Sequence, residues 1–189
     1  FSGGTINITS ERVLSVSGAS GCGIVTGVGK GQFNWTGGVL NTRKLSEDLV
    51  NNGGRLSPGG EGVIGTTMLD GANSATYTQK ALGILSVDIA GETKFDRLIM
   101  TGKNGATGTV VFESGAKIAV NLPDRYKPPR GRKFSVVRAN RIEVRGTLEF
   151  IGEAGKDFSY EIIERDGAQE LRLESTPGNG GVRLSGEKK

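Results

Sequence analysis

Four carboxylates in this chain are candidates for acid–base chemistry: Asp70, Asp88, Asp96 and Asp124, with Arg97 or Arg125 to orient an anionic sugar. Carbohydrate cleavage uses such groups, one carboxyl giving a proton and another taking one. The chain contains no histidine. Ser-His-Asp and Cys-His nucleophiles, the HExxH metal site and most zinc sites are therefore excluded. The paired Asp-Asp and Gly-His-Gly signatures of sugar hydrolases are missing too, and the plainer reading puts these carboxylates at turns and wet faces. Oxygen ligands for calcium occur in Asp70-Gly71-Ala72-Asn73 and Asn51-Asn52, but without EF-hand spacing, and Asx turns explain both segments. No metal and no cofactor is expected.

Aromatic side chains offer a second chemistry. Sugar rings stack on exposed Trp and Tyr, while arginine and amide groups bind the hydroxyls. Trp35, Tyr126 and Tyr77, with Arg125 and Arg130, are the candidate carbohydrate-binding residues. Trp35 alternates with Phe33 and shares its face. If that face is interior, Trp35 is a core residue; if exterior, it is a platform. Tyr160 shares a face with Phe158 and Ile162 and is assigned to the core.

Charge is the third signal. The formal charge is +4, and much of the excess falls between Arg125 and Arg145, where eight basic residues face only Glu143. Such a run could attract an acidic polysaccharide, a membrane surface or nucleic acid. It is equally read as a solvated loop and edge strand whose charges discourage aggregation. No nucleic-acid motif is present. Cys22, the one cysteine, forms no intrachain disulfide and reads as a small packed residue.

The elements that must position these groups are nearly all strands. Glycine makes up 32 of 189 residues. Gly3-Gly4, Gly37-Gly38 and Gly53-Gly54 are each followed by one residue and then Ile or Leu, at intervals of 34 and 16 residues. That spacing suggests a repeated step of about 17 residues, as in a coil of a β-solenoid. Residues 1 to 64 read as short strands between Gly, Ser, Thr and Asn. The stretch 43–50 could make a single helical turn. Longer strands follow at 75–79, 84–89, 97–101, 109–112 and 117–122, then at 134–137, 147–150, 158–163 and 170–173. Three prolines make 123–132 an irregular loop. Asp166-Gly167 marks a hairpin turn. No segment approaches the length of a membrane helix. Phe1 begins directly on the pattern, so the chain reads as a mature protein or an excised module.

Six motifs then occur in order. They are Phe33 to Leu40, Asn52-Gly53-Gly54, Leu56 to Gly60, Tyr77-Thr78-Gln79, Leu85 to Gly91, and Phe95 to Gly102. Together they resemble the end region of large bacterial surface and secreted proteins built of autotransporter-type β-strand repeats. The resemblance covers about residues 33 to 175. It implies a right-handed parallel β-helix, an extracellular location and a place within a larger parent polypeptide. It brings no catalytic residues. The Arg/Lys-rich loop departs from that pattern, and no membrane-barrel segment follows.

The expectation is thus an all-β chain: a short right-handed parallel β-helix, or β-solenoid, with a β-rich C-terminal cap. One domain would span residues 1–174, with Gly-rich early coils to 64, longer-strand coils and the cap from 65, and a tail or linker at 175–189. The expected function is a non-catalytic extracellular module that binds polysaccharide, possibly appended to a secreted glycoside-degrading enzyme. The alternative is a structural stalk or passenger segment of a bacterial surface protein; a polysaccharide lyase-like enzyme comes third. Expected partners are a neutral or acidic plant-type glycan and the parent polypeptide, with no nucleic acid and no membrane insertion.

Overall fold

The computed structural model describes residues 5–8, 13–16, 32–45, 48–70, 75–101 and 108–176. Of these, 5–8, 13–16, 32–34, 70 and 101 are described by backbone alone. Cys22, Gly3-Gly4, the segment 71–74 and most of the 175–189 tail lie outside the described residues. Within them the chain is mostly strand, with two short 3-10 turns and no α-helix.

Strands arrive in a fixed rotation among three sheets. Sheet I holds β2 (Val13–Val16), β4 (Val39–Thr42), β7 (Arg55–Leu56), β10 (Ile84–Asp88), β13 (Ala116–Asn121) and β16 (Leu148–Ile151), paired in that order. Sheet II runs β5 (Lys44–Leu45), β8 (Thr66–Asp70), β11 (Arg97–Thr101) and β14 (Lys133–Ala139). Sheet III runs β6 (Leu49–Asn51), β9 (Thr76–Gln79), β12 (Thr109–Glu113) and β15 (Arg141–Arg145). From β4 onward the chain visits I, II and III in turn and returns to I. All these neighbours pair in parallel. A separate pair joins β1 (Thr5–Ile8) to β3 (Gln32–Trp35), also in parallel.

Register explains the apolar spacing. In sheet I, Leu40, Leu56, Leu85, Ile118 and Phe150 stand in one column. Leu49, Tyr77, Val110 and Ile142 form another in sheet III. Leu98, Val137, Leu171 and Ile162 form one in sheet II. Inward side chains from all three sheets merge into a single hydrophobic cluster. Each strand is too short to bury its apolar face alone, so burial comes from its neighbours.

The Gly-Gly spacing is met in part. Val39 and Leu40, after Gly37-Gly38, pair with Arg55 and Leu56, after Gly53-Gly54, at the 16-residue step. The 34-residue interval does not behave the same way. Thr5 and Ile6 pair with Gln32 and Phe33, whereas Val39 pairs with Val13. Later steps are longer still: Ile84 pairs with Lys117, and Thr109 with Arg141. The repeating unit is therefore a full round of three strands rather than about 17 residues. The stretch 43–50 contains strands β5 and β6, not a helical turn, because Leu45 and Leu49 enter the core from two different sheets.

Sheet II ends differently from the others. Strand β18 (Ala168–Ser175) pairs antiparallel with β14, and β17 (Phe158–Arg165) pairs antiparallel with β18. Asp166 and Gly167 make the two-residue turn, both with left-handed backbone, the geometry that a tight hairpin prefers.

Candidate functional site

Trp35 heads the candidate residues, and it lies inside, with 0% of its surface exposed. The reason sits one step along the chain. A Cβ built on Gly54 would stand 2.5 Å from Trp35 Cδ1 and closer still to Nε1 and Cε2. Glycine at 54 makes the room that the indole fills. Trp35 is therefore corrected from sugar platform to core residue.

Tyr77 is likewise fully buried, and it belongs to a polar ladder. Its hydroxyl donates to Gln79 Oε1 at 2.8 Å and accepts from Asn51 Nδ2 at 3.4 Å. Gln79 Nε2 in turn donates to the carbonyls of Gly83 at 3.1 Å and Lys117 at 2.7 Å. Asn51 Oδ1 accepts from the Gly53 N–H at 3.2 Å. Burial pushes the Tyr77 phenol far above its ordinary range, although the Asn51 hydrogen bond opposes this. The ladder supplies partners to backbone groups where the chain turns from sheet III to sheet I. Tyr77 too is corrected from ligand contact to interior residue.

A second buried network holds two of the four carboxylates. Asp88 is 1% exposed and Asp96 0%. Asp88 accepts from Gly62 N–H at 2.6 Å and from Asn121 Nδ2 at 2.8 Å. Asp96 accepts from Gly65 N–H at 2.7 Å and from the Asp88 N–H at 3.0 Å. Each carboxylate oxygen thus meets a fixed N–H donor, and the pair clasps the 57–65 loop onto the next round of chain. Asp96 is pushed up to about 7, first by burial and also by the charge of Asp88, against the pull of its two backbone donors. Perturbed carboxylates often mark catalytic sites, but here both groups are sealed from solvent and bound to their own fold. Asp124 is exposed on a loop. Arg97 lies over the Phe95 ring at 4.6 Å. The Asp70 side chain is not among those described.

Tyr126 is half-buried. Its ring packs on the core, and its hydroxyl is buried without a hydrogen-bond partner among the described residues. Tyr126 is therefore partly engaged by the core rather than fully exposed. Arg125 and Arg130 on either side of it are exposed. The loop that carries them is tied down at several points. Gly131 N–H donates to the Ser175 carbonyl at 2.8 Å, Ser175 Oγ donates to the Pro129 carbonyl, and Arg132 pairs with Glu92 at 3.2 Å. Asp124 and Arg125 both hold left-handed φ near 55°.

The basic run splits into two groups. Arg132, Lys133, Arg138, Arg141 and Arg145 all pair with carboxylates. Lys133 lies between Glu161 and Glu174, and its pKa is raised, foremost by the Glu161 hydrogen bond. Glu143 is held below the usual range, mainly by the Arg145 hydrogen bond. Arg125, Lys127 and Arg130 form no ion pair among the described residues, and all three are exposed.

Sequence reasoning missed Gln79 and Asn121 as structural groups, while the Asx turn expected at Asn51 is present in the Gly53 N–H bond to its Oδ1. Their signal was present in Tyr77-Thr78-Gln79, where alternation puts Tyr77 and Gln79 on one face. Among the described residues, no group of three or more His, Cys, Asp or Glu could hold a metal ion, and no helix is long and apolar enough to cross a membrane. No family model matches the chain, and no curated protein matches it.

Proposed function

We propose that the chain is a structural segment of a longer extracellular polypeptide: a short right-handed parallel β-helix whose motifs serve its own packing. The observation that carries this reading is the burial of Trp35, Tyr77, Asp88 and Asp96. These side chains are the best equipped for ligand or catalysis, and each is engaged inside. The rotation of strands among three parallel sheets supports the coiled form, and right-handed crossover is the strong rule for parallel connections. The resemblance of residues 33–175 to autotransporter-type repeats supports the extracellular setting. The sealing of the Asp88–Asp96 carboxylates from solvent supports a non-catalytic role. Binding of neutral glycans through a stacked aromatic is not favoured, because Trp35 and Tyr77 are fully buried and Tyr126 is half-buried against the core.

Affinity electrophoresis through gels containing xylan, β-glucan or mannan tests the reading. Unretarded migration in all three is the expected result. Retardation by a neutral glycan that survives high salt would overturn it, since that requires a binding face the structural role does not provide.

A further inference from the structure

We infer that the corner between sheets I and II, centred on residues 123–132, is a docking surface for an acidic polysaccharide bearing uronate carboxylates. Three successive connections stack there: residues 89–96, 122–132 and 152–157. Ile89 N–H donates to the Asn121 carbonyl at 2.9 Å, and Arg132 bridges back to Glu92. A Cβ on Gly152 would stand 2.9 Å from the Val120 carbonyl oxygen, so the third connection starts against the end of β13, from which the second one leaves.

Unmatched positive charge collects on this corner. Five of the eight basic residues between Arg125 and Arg145 are neutralised by carboxylates, and the three that are not lie in one loop. Lys94 and Lys156 lie exposed on the flanking connections. The carboxylates that oppose them are Asp124, Glu153 and Asp157; Glu92 is already engaged by Arg132.

The loop is also organised before any partner arrives. Ser175 and the Glu92–Arg132 pair hold its later half, and the core-packed Tyr126 ring fixes the centre between Arg125 and Lys127. Two consecutive left-handed non-glycine residues cost roughly 1–2 kcal/mol each. Strain of this kind persists where the surroundings impose it and gathers at functional sites. A preordered loop loses little entropy on binding.

The chemistry favours uronate over the other polyanions. Guanidinium forks match the planar carboxylate. Nucleic acid would call for exposed aromatics on which bases stack. On this corner Phe95 is buried, with Arg97 over its ring, and Tyr126 is half-buried against the core.

The test is migration through gels containing polygalacturonate, at low and at high salt. Wild type is retarded at low salt and released at high salt. The triple variant Arg125→Ala, Lys127→Ala, Arg130→Ala loses at least tenfold in apparent affinity, while Arg141→Ala, Arg145→Ala loses less than threefold. Absence of retardation in wild type, or equal loss in both variants, overturns the inference. So does tighter retention by single-stranded DNA or by phosphatidylserine vesicles than by polygalacturonate. Neutral gels judge the structural reading and acidic gels judge this one, so the two fail separately.

Discussion

Gly54→Ala is the sharpest test of how the interior is built. The added methyl would lie 2.5 Å or less from three atoms of the Trp35 indole. Ordinary carbon contacts need about 3.5 Å or more, so the ring must move by an ångström or more. Trp35 is wholly enclosed. Overpacking of this kind costs about 1–3 kcal/mol, and expelling the indole about 3–5 kcal/mol. Gly62→Ala is the matched control: its φ is +73°, and nothing lies within 4 Å of the new methyl. That substitution carries only the left-handed penalty of about 1–2 kcal/mol. Trp35 is the only tryptophan, so its fluorescence reports directly during urea unfolding. Expulsion of the indole in Gly54→Ala should lower the midpoint by roughly 1–1.7 M, at the slope of about 3 kcal/mol per molar suited to a chain of this size, and should red-shift native emission. Gly62→Ala should leave native emission unchanged. Equal midpoints for the two variants, or a blue native emission in Gly54→Ala, would refute the close fit of Gly54 against the Trp35 indole.

Two further outcomes follow from the buried networks. Asp96 has its pKa raised from the ordinary 3.8 to about 7. A raised carboxylate favours the fold fully below pH 4 and loses that contribution as pH climbs through 7. The gap is worth about 4 kcal/mol. Urea midpoints at pH 4.5 and pH 8 should therefore fall with pH in wild type, and the fall should flatten in Asp96→Asn; a wild-type profile flat across that window would count against the charge-burial argument. Gln79→Leu strips partners from the Gly83 and Lys117 carbonyls and from the Tyr77 hydroxyl. Buried groups left unpaired cost roughly 1–3 kcal/mol each, so thermal melting should drop by several degrees; an unchanged melt would mean that the ladder contributes nothing.

Much of the strand pattern is legible in the residues. The expected strands from 75 to 173 match the observed ones to within a few residues, because alternation and glycine turns are local signals. Besides the short strands at 44–45, 49–51 and 55–56, two longer ones escaped. Arg141–Arg145 was read for its charge, and Thr66–Asp70 carries polar residues on both faces. Facing direction was not legible. Alternation puts Phe33 and Trp35 together but does not say which side is inside; that is decided by Gly54, nineteen residues on. The carboxylates Asp88 and Asp96 were read as wet because their donors, the N–H groups of Gly62 and Gly65, come from another round of the chain. The basic run looked continuous because the glutamates that neutralise it, among them Glu92, Glu161 and Glu170, are distant in sequence.

The antiparallel hairpin at the end of sheet II bears on the order of folding. Parallel partners elsewhere are separated by 16 to 39 residues, as in Leu40 with Leu56 and Leu98 with Val137. Each such pairing must close a sizeable loop before it gains contacts. Arg165 and Ala168 in the hairpin are three residues apart. A two-residue turn closes in microseconds, so this is the least costly pairing to form first. Once made, β18 offers an edge on which β14 can be laid down, and β14 then receives β11. The same hairpin that ends the sheet in space is thus suited to begin it in time, with order spreading toward the amino terminus one winding after another.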